Sequence, residues 1–347
     1  MKNKQKGGWL LIVGTALVCL QIGVIIGYQN GVLPFLDQIP YPLSTILYMA
    51  SGVLGAIALL LGYCMRHRGT IRVFAPVFLL PMTAAFAIGF VWPFLWGLYL
   101  SFFRFKTLSF TEFVGLRNYM TAITDSSFLY SFFFTLLFAA VAVVLINLIA
   151  FFVALALTKG IRGFTFFRTV FFMPNLIGGI VLGYIWKLIL DGIIMRLFES
   201  SLALDERFGF WGLVILVCWQ QIGYMMIIYI AGLQNVPISY LEAAKIDGAN
   251  GFQILRHITV PSIMPSITIC TFLTLTNAFK LFDQNLALTA GQPFHKTEML
   301  ALNIYNSFYS NVTNMGVGQA KAVLFFIVVV VIALTQLTLS GRKEIQQ

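Results

Sequence analysis

Long apolar runs separated by short polar segments dominate this chain. Eight runs are long enough to cross a bilayer as α-helices, which takes about 20 residues each. They fall near 8–28, 43–64, 74–103, 129–157, 169–190, 210–233, 264–288 and 318–340. The third and fourth runs exceed this length, which predicts tilt or extension beyond the lipid. The pattern therefore predicts an all-α, polytopic membrane helix bundle of about eight transmembrane helices.

The composition excludes a soluble alternative. Of the 347 residues, 59% are hydrophobic and only 10% are charged, whereas soluble domains carry about 25% charged residues. The mean hydropathy is +0.90. A water-soluble core of this size could not bury so much apolar surface, and a disordered chain would carry more charge. The composition therefore predicts that much of the apolar surface of this chain is in contact with lipid.

The net charge of +10 indicates how the chain is oriented in the membrane. With the N terminus placed in the cytoplasm, Lys and Arg concentrate in the inner segments, and most of the 12 acidic residues fall outside. The whole basic excess then lies on one face, as the positive-inside rule requires, and both termini are cytoplasmic. These loops are too short to build a basic surface for nucleic acid.

The motifs of common enzymes and metal sites are missing from the sequence. The four cysteines are scattered among apolar runs, and the three histidines have no second ligand at helical spacing. The chain contains no P-loop, H-E-x-x-H or G-x-S-x-G pattern. We therefore expect neither an enzyme nor a resident cofactor or metal.

One cytoplasmic loop, at about 234–263, carries an unusual helical pattern. Ser239-x-x-Glu242 after a proline has the spacing of a capping box. Ala243 and Ala244 favour a helix, and Gly248 can end it in the left-handed conformation. The loop is thus predicted to hold a short helix between two spans. On these grounds alone, a simple connecting helix is the favoured interpretation.

The same loop resembles the EAA loop of ABC importer permeases, E-A-A-x-x-x-G followed by I-x-x-P. The match consists of Glu242-Ala243-Ala244, Gly248, Ile258 and Pro261, and its Asp247-Gly248-Ala249 version is similar to the carbohydrate branch. The resemblance implies a coupling helix that sits in a groove of a separate ATPase subunit. It implies that Glu242 pairs with a basic group, that the small residues allow close fit, and that Pro261 fixes the exit into the next helix. The coupling residues on this reading are Glu242, Ala243, Ala244, Asp247, Gly248 and Pro261.

Other segments extend the resemblance to the maltose and multiple-sugar permeases. They are Phe113–Tyr119, Arg162-Gly163 through Pro174, and Phe282-Asp283 through Leu288-Thr289-Ala290-Gly291-Gln292-Pro293. The likeness covers about 74–340, which implies a six-helix permease core. Residues 1–73 would add two N-terminal transmembrane helices with basic flanks, and 341–347 would form a cytoplasmic tail.

Two predicted spans carry polar side chains at helical spacing: Gln220, Gln221 and Tyr224 on one, and Thr274 and Asn277 on the other. Polar groups in lipid are costly unless they face the bundle interior or a water-filled cavity. Aromatic rings and amides suit a sugar, although hydrogen bonds between helices explain them equally well. By resemblance, Tyr224 takes the place of a sugar-stacking tyrosine, and Thr274 that of a polar sugar contact.

The resemblance implies a permease subunit of an ATP-driven ABC importer in the bacterial plasma (inner) membrane. Its substrate would be a sugar, in particular an oligosaccharide, delivered by an extracytoplasmic sugar-binding protein. Its partners would be a second homologous permease and an ABC ATPase dimer, which would hold the ATP and Mg. One alternative is a stand-alone secondary transporter of a small polar solute, which would need intramembrane acids or a broken-helix ion site. Another is a scaffold or membrane enzyme.

Overall fold

The computed structural model describes residues 79–106, 111–160, 162–309 and 315–341. The chain divides into two compact units, residues 1–97 and 98–347. Helix α1, Leu79–Leu100, includes a π-helical stretch at Ala87–Val91. Its rings stack along one side, Phe86 on Phe90 at 5.2 Å and Phe90 on Phe94 at 6.2 Å between centroids. The predicted runs at 8–28 and 43–64, the segment 1–73 and residues 342–347 lie outside the described residues.

Apart from loops, the described residues of the second unit form helices and one small hairpin. Its strands are β1 (Phe103–Phe105) and β2 (Thr111–Phe113), and its helices are α2 (Arg117–Thr124), α3 (Ser126–Leu157), α4 (Phe164–Phe172), α5 (Gly179–Phe198), α6 (Glu206–Gln234), α7 (Ile238–Ile246), α8 (Gly251–Ser262), α9 (Met264–Phe279), α10 (Asp283–Leu288), α11 (Leu300–Tyr309) and α12 (Met315–Gly341). A 3₁₀ turn, Met173–Leu176, prolongs α4, and residues 255–259 of α8 are π-helical.

Four of these helices, α1, α3, α6 and α12, are long and apolar enough to cross a membrane alone. Two bent pairs could each form one further span: α4 with its 3₁₀ turn joins α5 at 102°, and α8 joins α9 at 70°. The described chain thus confirms a mostly helical membrane protein with four to six candidate spans. Each of the six predicted runs in this region corresponds to one of them.

Two runs predicted as continuous helices are not continuous. The run 169–190 breaks at Ile177 and Gly178, where the backbone becomes extended after the 3₁₀ turn that Pro174 begins. The run 264–288 ends as a helix at Phe279, and a separate short helix follows from Asp283. Hydropathy marks residues that tolerate lipid, but it does not register these changes of backbone direction.

Helices α3 and α6 form the centre of the bundle and run in the same direction. The rings of Phe134 and Phe210, near the helix starts, meet edge to face at 5.8 Å, and Phe151 meets Tyr229 near the ends at 5.7 Å. Four alanines of α3 are fully buried in the bundle: Ala139, Ala142, Ala150 and Ala154. Small residues let helix backbones approach closely, which is how helices pack in lipid.

This direction defines two ends of the bundle. The 29 residues of α6 rise about 43 Å, enough to span a bilayer. Helix α7 follows the C-terminal end of α6, and this end of the bundle is called the α7 end below. The starts of α3, α6 and α12 lie at the opposite end, since Lys321 near the start of α12 bonds Asp125 just before α3. The opposite end is called the hairpin end.

An asparagine joins three helices inside the bundle. The amide oxygen of Asn147 in α3 accepts a hydrogen bond from the hydroxyl of Tyr229 in α6 at 2.8 Å. Its amide nitrogen donates to the carbonyl of Val143 at 2.8 Å and to the hydroxyl of Thr274 in α9 at 3.4 Å. Each polar group is thereby satisfied without water, as lipid requires.

A second asparagine builds the hairpin end. Asn118, fully buried, donates from its amide nitrogen to the carbonyls of Ser101 and Phe103, both at 2.9 Å. Gly115 supplies the left-handed residue of the turn between β2 and α2, with φ +57°. The segment Phe113–Tyr119 therefore ties α2 to the first strand of the hairpin.

One very close helix contact depends on a glycine. A Cβ at Gly223 of α6 would overlap the backbone carbonyl of Phe171 in α4. This approach seats the bent α4–α5 segment against α6.

We predict that Gly223→Ala destabilises the folded protein by about 1–3 kcal/mol or more, because backbone cannot move aside as a flexible side chain can. Gly192→Ala in α5 is the matched control, since a Cβ there meets nothing within 4 Å. The thermal midpoint of each variant in detergent measures the effect. Equal midpoints for the two variants would show that α4 does not pack on α6 as described.

Candidate functional site

The predicted helix at the α7 end exists, but it begins differently from the prediction. Helix α7 starts at Ile238 with Pro237 as its N-cap, and no side chain caps it. The predicted capping box of Ser239 and Glu242 is therefore wrong. Proline fixes a φ close to the helical value, so the helix starts at once and Ser239 already lies inside it.

The end of α7 follows the prediction for Gly248. This residue adopts φ +79°, and its N–H bonds the carbonyl of Lys245 at 3.1 Å. The N–H of Ala249 bonds the carbonyl of Ala244 at 2.9 Å. Together these bonds form a Schellman motif, which satisfies carbonyls that the helix leaves open.

The next helix carries the capping box that the sequence analysis missed. Asn250 accepts from the N–H of Gln253 at 2.9 Å, and Gln253 accepts from the N–H of Asn250 at 2.8 Å. This starts α8 at Gly251, after four intervening residues. Pro261 lies in the last turn of α8, directly before the 70° bend into α9. The chain thus returns to the bundle at a defined angle.

Helices α7 and α8 enclose an open groove of about 720 Å³. It is lined by Tyr240, Ala243, Ala244, Asp247, His257, Ile258, Pro261, Ser262 and Pro265. Four of the six predicted coupling residues thus share this groove: Ala243, Ala244, Asp247 and Pro261. The other two, Glu242 and Gly248, are exposed beside it.

The surface around the groove is apolar and exposed. Ile238, Ile246 and Phe252 are 70%, 86% and 69% exposed. Glu242 is exposed as well, and within the described residues no ion pair engages it. Large exposed apolar side chains near an exposed charge are typical of a protein-binding surface.

The polar residues predicted on α6 face the bent α4–α5 segment. Gln220 donates to the carbonyl of Ile177 at 3.4 Å and accepts from the amide of Gln284 in α10 at 2.8 Å. The ring of Tyr224, one turn further, lies 6.5 Å from that of Phe172. Gln221 is buried, and its amide oxygen has no hydrogen-bond donor among the described residues.

The two predicted residues on α9 do not share an environment. Thr274 is buried and donates to the carbonyl of Cys270 at 2.7 Å, beside Asn147. Asn277 is exposed. In the described part of the chain no hydrogen bond joins either residue to the polar residues of α6. The structure therefore separates the five candidates. Gln220 bonds Ile177, Tyr224 lies beside Phe172, Gln221 is a buried amide, Thr274 is an interhelical contact and Asn277 is an exposed amide.

A polar cluster that the sequence analysis missed lies at the hairpin end. The buried ammonium of Lys321 bonds the carboxylate of Asp125 at 2.6 Å, Ser307 at 2.7 Å and Asn303 at 3.2 Å. Asp125 also caps α3 by accepting from the N–H of Ser127 at 2.9 Å. A lysine inside the apolar run 318–340 was the signal in the sequence, because such a charge needs a partner.

Glu298 anchors the other side of the same cluster. It is 1% exposed, and its carboxylate accepts from the amides of Asn303 at 3.1 Å and Asn306 at 2.5 Å. His295 lies 3.3 Å from the same carboxylate. These side chains line an open cleft of about 320 Å³ together with Asp125 and Lys321.

The lysine lowers the pKa of Asp125. Burial alone raises it, but the hydrogen bond and charge of Lys321 and the N–H groups of Ser127 and Phe128 outweigh that effect. The carboxylate is therefore ionised at neutral pH and compensates the buried ammonium.

A family model matches this chain. The family described as "Binding-protein-dependent transport system inner membrane component" matches residues 161–343, which include α7 and its groove. The match confirms the resemblance to importer permeases that the EAA-like loop suggested.

Full-length relatives agree with the family match. The probable starch degradation products transport system permease protein AmyD of Thermoanaerobacterium thermosulfurigenes is 41% identical over 277 residues, 78% of this chain and 94% of that protein. The multiple sugar-binding transport system permease protein MsmF of Streptococcus mutans is 30% identical over 74% of this chain and 91% of that protein. The sn-glycerol-3-phosphate transport system permease protein UgpA of Brucella abortus is 32% identical over 75% of this chain and 92% of that protein.

A solved structure shares the fold. A chain of a bacterial ABC transporter involved in the import of the acidic polysaccharide alginate superposes with a TM-score of 0.67 at 17% identity. The match covers 78% of this chain and 95% of that chain. The bent spans described above therefore belong to an ABC permease fold.

We predict that Gly248→Ala loosens the C-terminal turn of α7, because alanine at a φ of +79° costs about 1 kcal/mol. Hydrogen exchange at the amide of Ala249, which bonds Ala244, should then accelerate. Gly251→Ala is the control, since both positions have open space for a Cβ but only Gly248 has a positive φ. Unchanged exchange in Gly248→Ala would contradict the Schellman ending.

We predict that Asp125→Asn destabilises the protein by about 1–2 kcal/mol at pH 7, since it leaves a buried ammonium without its counter-charge and the carboxylate is partly screened by solvent. Because the pKa of Asp125 is lowered from 3.8, the wild type keeps this stabilisation above that value and loses it as the pH falls below it.

The difference in thermal midpoint between wild type and Asp125→Asn should therefore be present at pH 7 and shrink below about pH 4. Glu199→Gln, on the exposed Glu199, should leave the midpoint unchanged at both pH values. A difference that is the same at both values would show that ionisation of Asp125 does not stabilise the fold.

Proposed function

The chain belongs to the family of inner membrane components of binding-protein-dependent transport systems, and on that premise we propose how it works. It is a multi-pass permease subunit of an ABC importer. This membership favours it over a stand-alone secondary transporter. Its proposed task is to move a sugar, in particular an oligosaccharide, through the membrane.

The proposed topology has eight transmembrane helices with both termini in the cytoplasm. Residues 1–73 would contribute two of them, 74–340 the permease core, and 341–347 a cytoplasmic tail. The basic excess of the inner segments supports this orientation. In this proposed orientation the α7 end would lie in the cytoplasm and the hairpin end outside.

Helix α7 would couple this subunit to a separate ABC ATPase dimer, which would hold the ATP and Mg. The observation that carries the proposal is an exposed, well-terminated helix in a chain of this family, with four of the six EAA-like residues lining one groove and Glu242 and Gly248 exposed beside it. Glu242, free of ion pairs within the described residues, would meet a basic side chain of the ATPase. Ala243, Ala244 and Gly248 would allow close approach, and Asp247 and Pro261 would fix the groove wall and the exit into α9.

The sugar substrate is supported by the relatives. Two of them are named for starch degradation products and for multiple sugars, and the first is 41% identical to this chain. A third is named for sn-glycerol-3-phosphate, so the experiment has to include that solute. Gln220, Gln221 and Tyr224 of α6 are the proposed contacts, with Thr274 and Asn277 of α9. The amide oxygen of Gln221, which has no hydrogen-bond partner among the described residues, supports a ligand on α6.

Transport would proceed by alternating access. A sugar-binding protein would deliver the substrate at the hairpin end, and closure of the ATPase dimer would draw α7 inward. The bent α4–α5 and α8–α9 segments would transmit this movement, together with a second homologous permease. This chain would catalyse no covalent reaction.

The experiment is uptake into proteoliposomes that contain the complete complex purified by a tag on this chain. Labelled maltooligosaccharides and labelled sn-glycerol-3-phosphate are compared, with and without ATP. The proposal expects ATP-dependent uptake of the oligosaccharide. Uptake of glycerol phosphate alone would refute the sugar, and uptake without ATP would refute the importer.

We predict that Glu242→Lys abolishes ATP-driven uptake, a loss of at least about tenfold, because repulsion replaces a charge-assisted contact. The variant should still insert and purify with normal thermal stability, since the side chain of Glu242 makes no ion pair within the described residues. Glu199→Lys, the same charge reversal on an exposed residue at the hairpin end, should transport normally. Normal uptake by Glu242→Lys would refute the coupling role of α7.

A further inference from the structure

A single aromatic side chain projects from the loop between α10 and α11. Phe294 is 87% exposed, and its neighbours Gln292, His295 and Lys296 are exposed as well. The residues that follow at once, 297–300, are all buried. The loop thus consists of an exposed tip, Gln292–Lys296, on a buried base.

The backbone of this loop is strained. Three residues that are not glycine have positive φ values within six positions: Ala290 at +49°, Phe294 at +49° and His295 at +62°. The left-handed region is costly for side chains with a Cβ, and above all for a bulky one. Such a cluster persists only where its surroundings hold it, and such strain concentrates at functional sites.

The base of the loop supplies the restraint. Buried Asn285 donates from its side-chain amide to the carbonyl of Thr297 at 2.8 Å and accepts from the N–H of Met299 at 2.9 Å. The hydroxyl of Thr297 donates to the carbonyl of Gln292 at 2.6 Å. The tip is therefore tied down on both sides of Phe294.

Glu298 holds the tip from the side of the polar cluster. Its buried carboxylate is 3.3 Å from the ring nitrogen of His295, the residue next to Phe294. Asn303 and Asn306 of α11 fix the carboxylate by hydrogen bonds. Glu298 thereby links the orientation of the tip to α11 and, through Asn303, to Lys321 of α12.

We propose that Phe294 is the anchor of a preformed docking surface for the extracytoplasmic binding protein, and that Glu298 is its positioning residue. The inference rests on the proposed function, which places the hairpin end outside. A rigid aromatic side chain presented at low entropic cost is the usual form of an interface hot spot. The matching surface would be an apolar pocket with acidic groups at its rim, complementary to Lys296 and His295.

The surroundings of Phe294 favour a protein partner over lipid. An aromatic centre within a polar rim is the composition of a protein interface, and here the rim is Gln292, His295 and Lys296. Lys296 is itself held, with its ammonium 4.6 Å from the ring centre of Tyr130. A residue that only dips into lipid needs no such fixed backbone.

The test uses the complete complex in proteoliposomes, with the sugar-loaded binding protein titrated outside and ATP hydrolysis recorded. Phe294→Ala should raise the binding-protein concentration for half-maximal stimulation by at least about tenfold. The maximal rate should stay that of the wild type. Leu204→Ala is the matched control, because Leu204 is 68% exposed in another loop of the hairpin end.

Glu298 is tested through a double-mutant cycle. Glu298→Ala should raise the half-saturating concentration in the same direction, and Glu298→Gln, which keeps an acceptor oxygen, should raise it less. The double variant with Phe294→Ala should be no worse than Phe294→Ala alone, since Glu298 acts through the tip. Additive effects would refute the positioning role.

Three outcomes would overturn the proposal. If the half-saturating concentration of binding protein for Phe294→Ala lies within twofold of the wild-type value, Phe294 is not the anchor of the docking surface. A change in basal hydrolysis without binding protein, at unchanged half-saturation, would assign Phe294 to the lipid interface. A wild-type complex that no binding protein stimulates would refute the proposed function and this inference with it.

Discussion

The absence of water in the membrane is the constraint on which this structure depends, because a buried polar group is costly unless it finds a hydrogen-bond partner. Asn147 meets the constraint by joining α3, α6 and α9 through its side chain. Lys321 meets it at the hairpin end with Asp125, Asn303 and Ser307. The same bonds that satisfy these groups fix how the helices stand relative to one another.

A bundle fixed in this way can transmit movement from one end to the other. The polypeptide leaves α6 through only three residues into α7, and it returns through the π-helical stretch of α8 and the 70° bend into α9. Both flanking helices also carry partners of Asn147. A displacement of α7 therefore acts on the interior of the bundle through two helices, which suits an importer driven by a separate ATPase.

Local patterns in the sequence predicted much of this, and spatial neighbours explain the rest. Gly248 ends α7 as expected, because the requirement for a left-handed residue is local. The Ser239 and Glu242 pattern failed for an equally local reason, the early start at Pro237. The surroundings of Thr274 depend on Asn147, which lies 127 positions away in the chain. The strained loop around Phe294 depends in the same way on Asn285 and on buried Glu298, so the run of residues alone could not reveal it.

The central claim is that α7 joins this permease to an ATPase. The most direct test is a purification by a tag on this chain from native membranes in mild detergent, with the mass of the intact assembly measured. The account predicts one copy of this chain with one homologous permease and two copies of a P-loop ATPase. Recovery of this chain alone, in a form that moves sugar in liposomes without ATP, would contradict it.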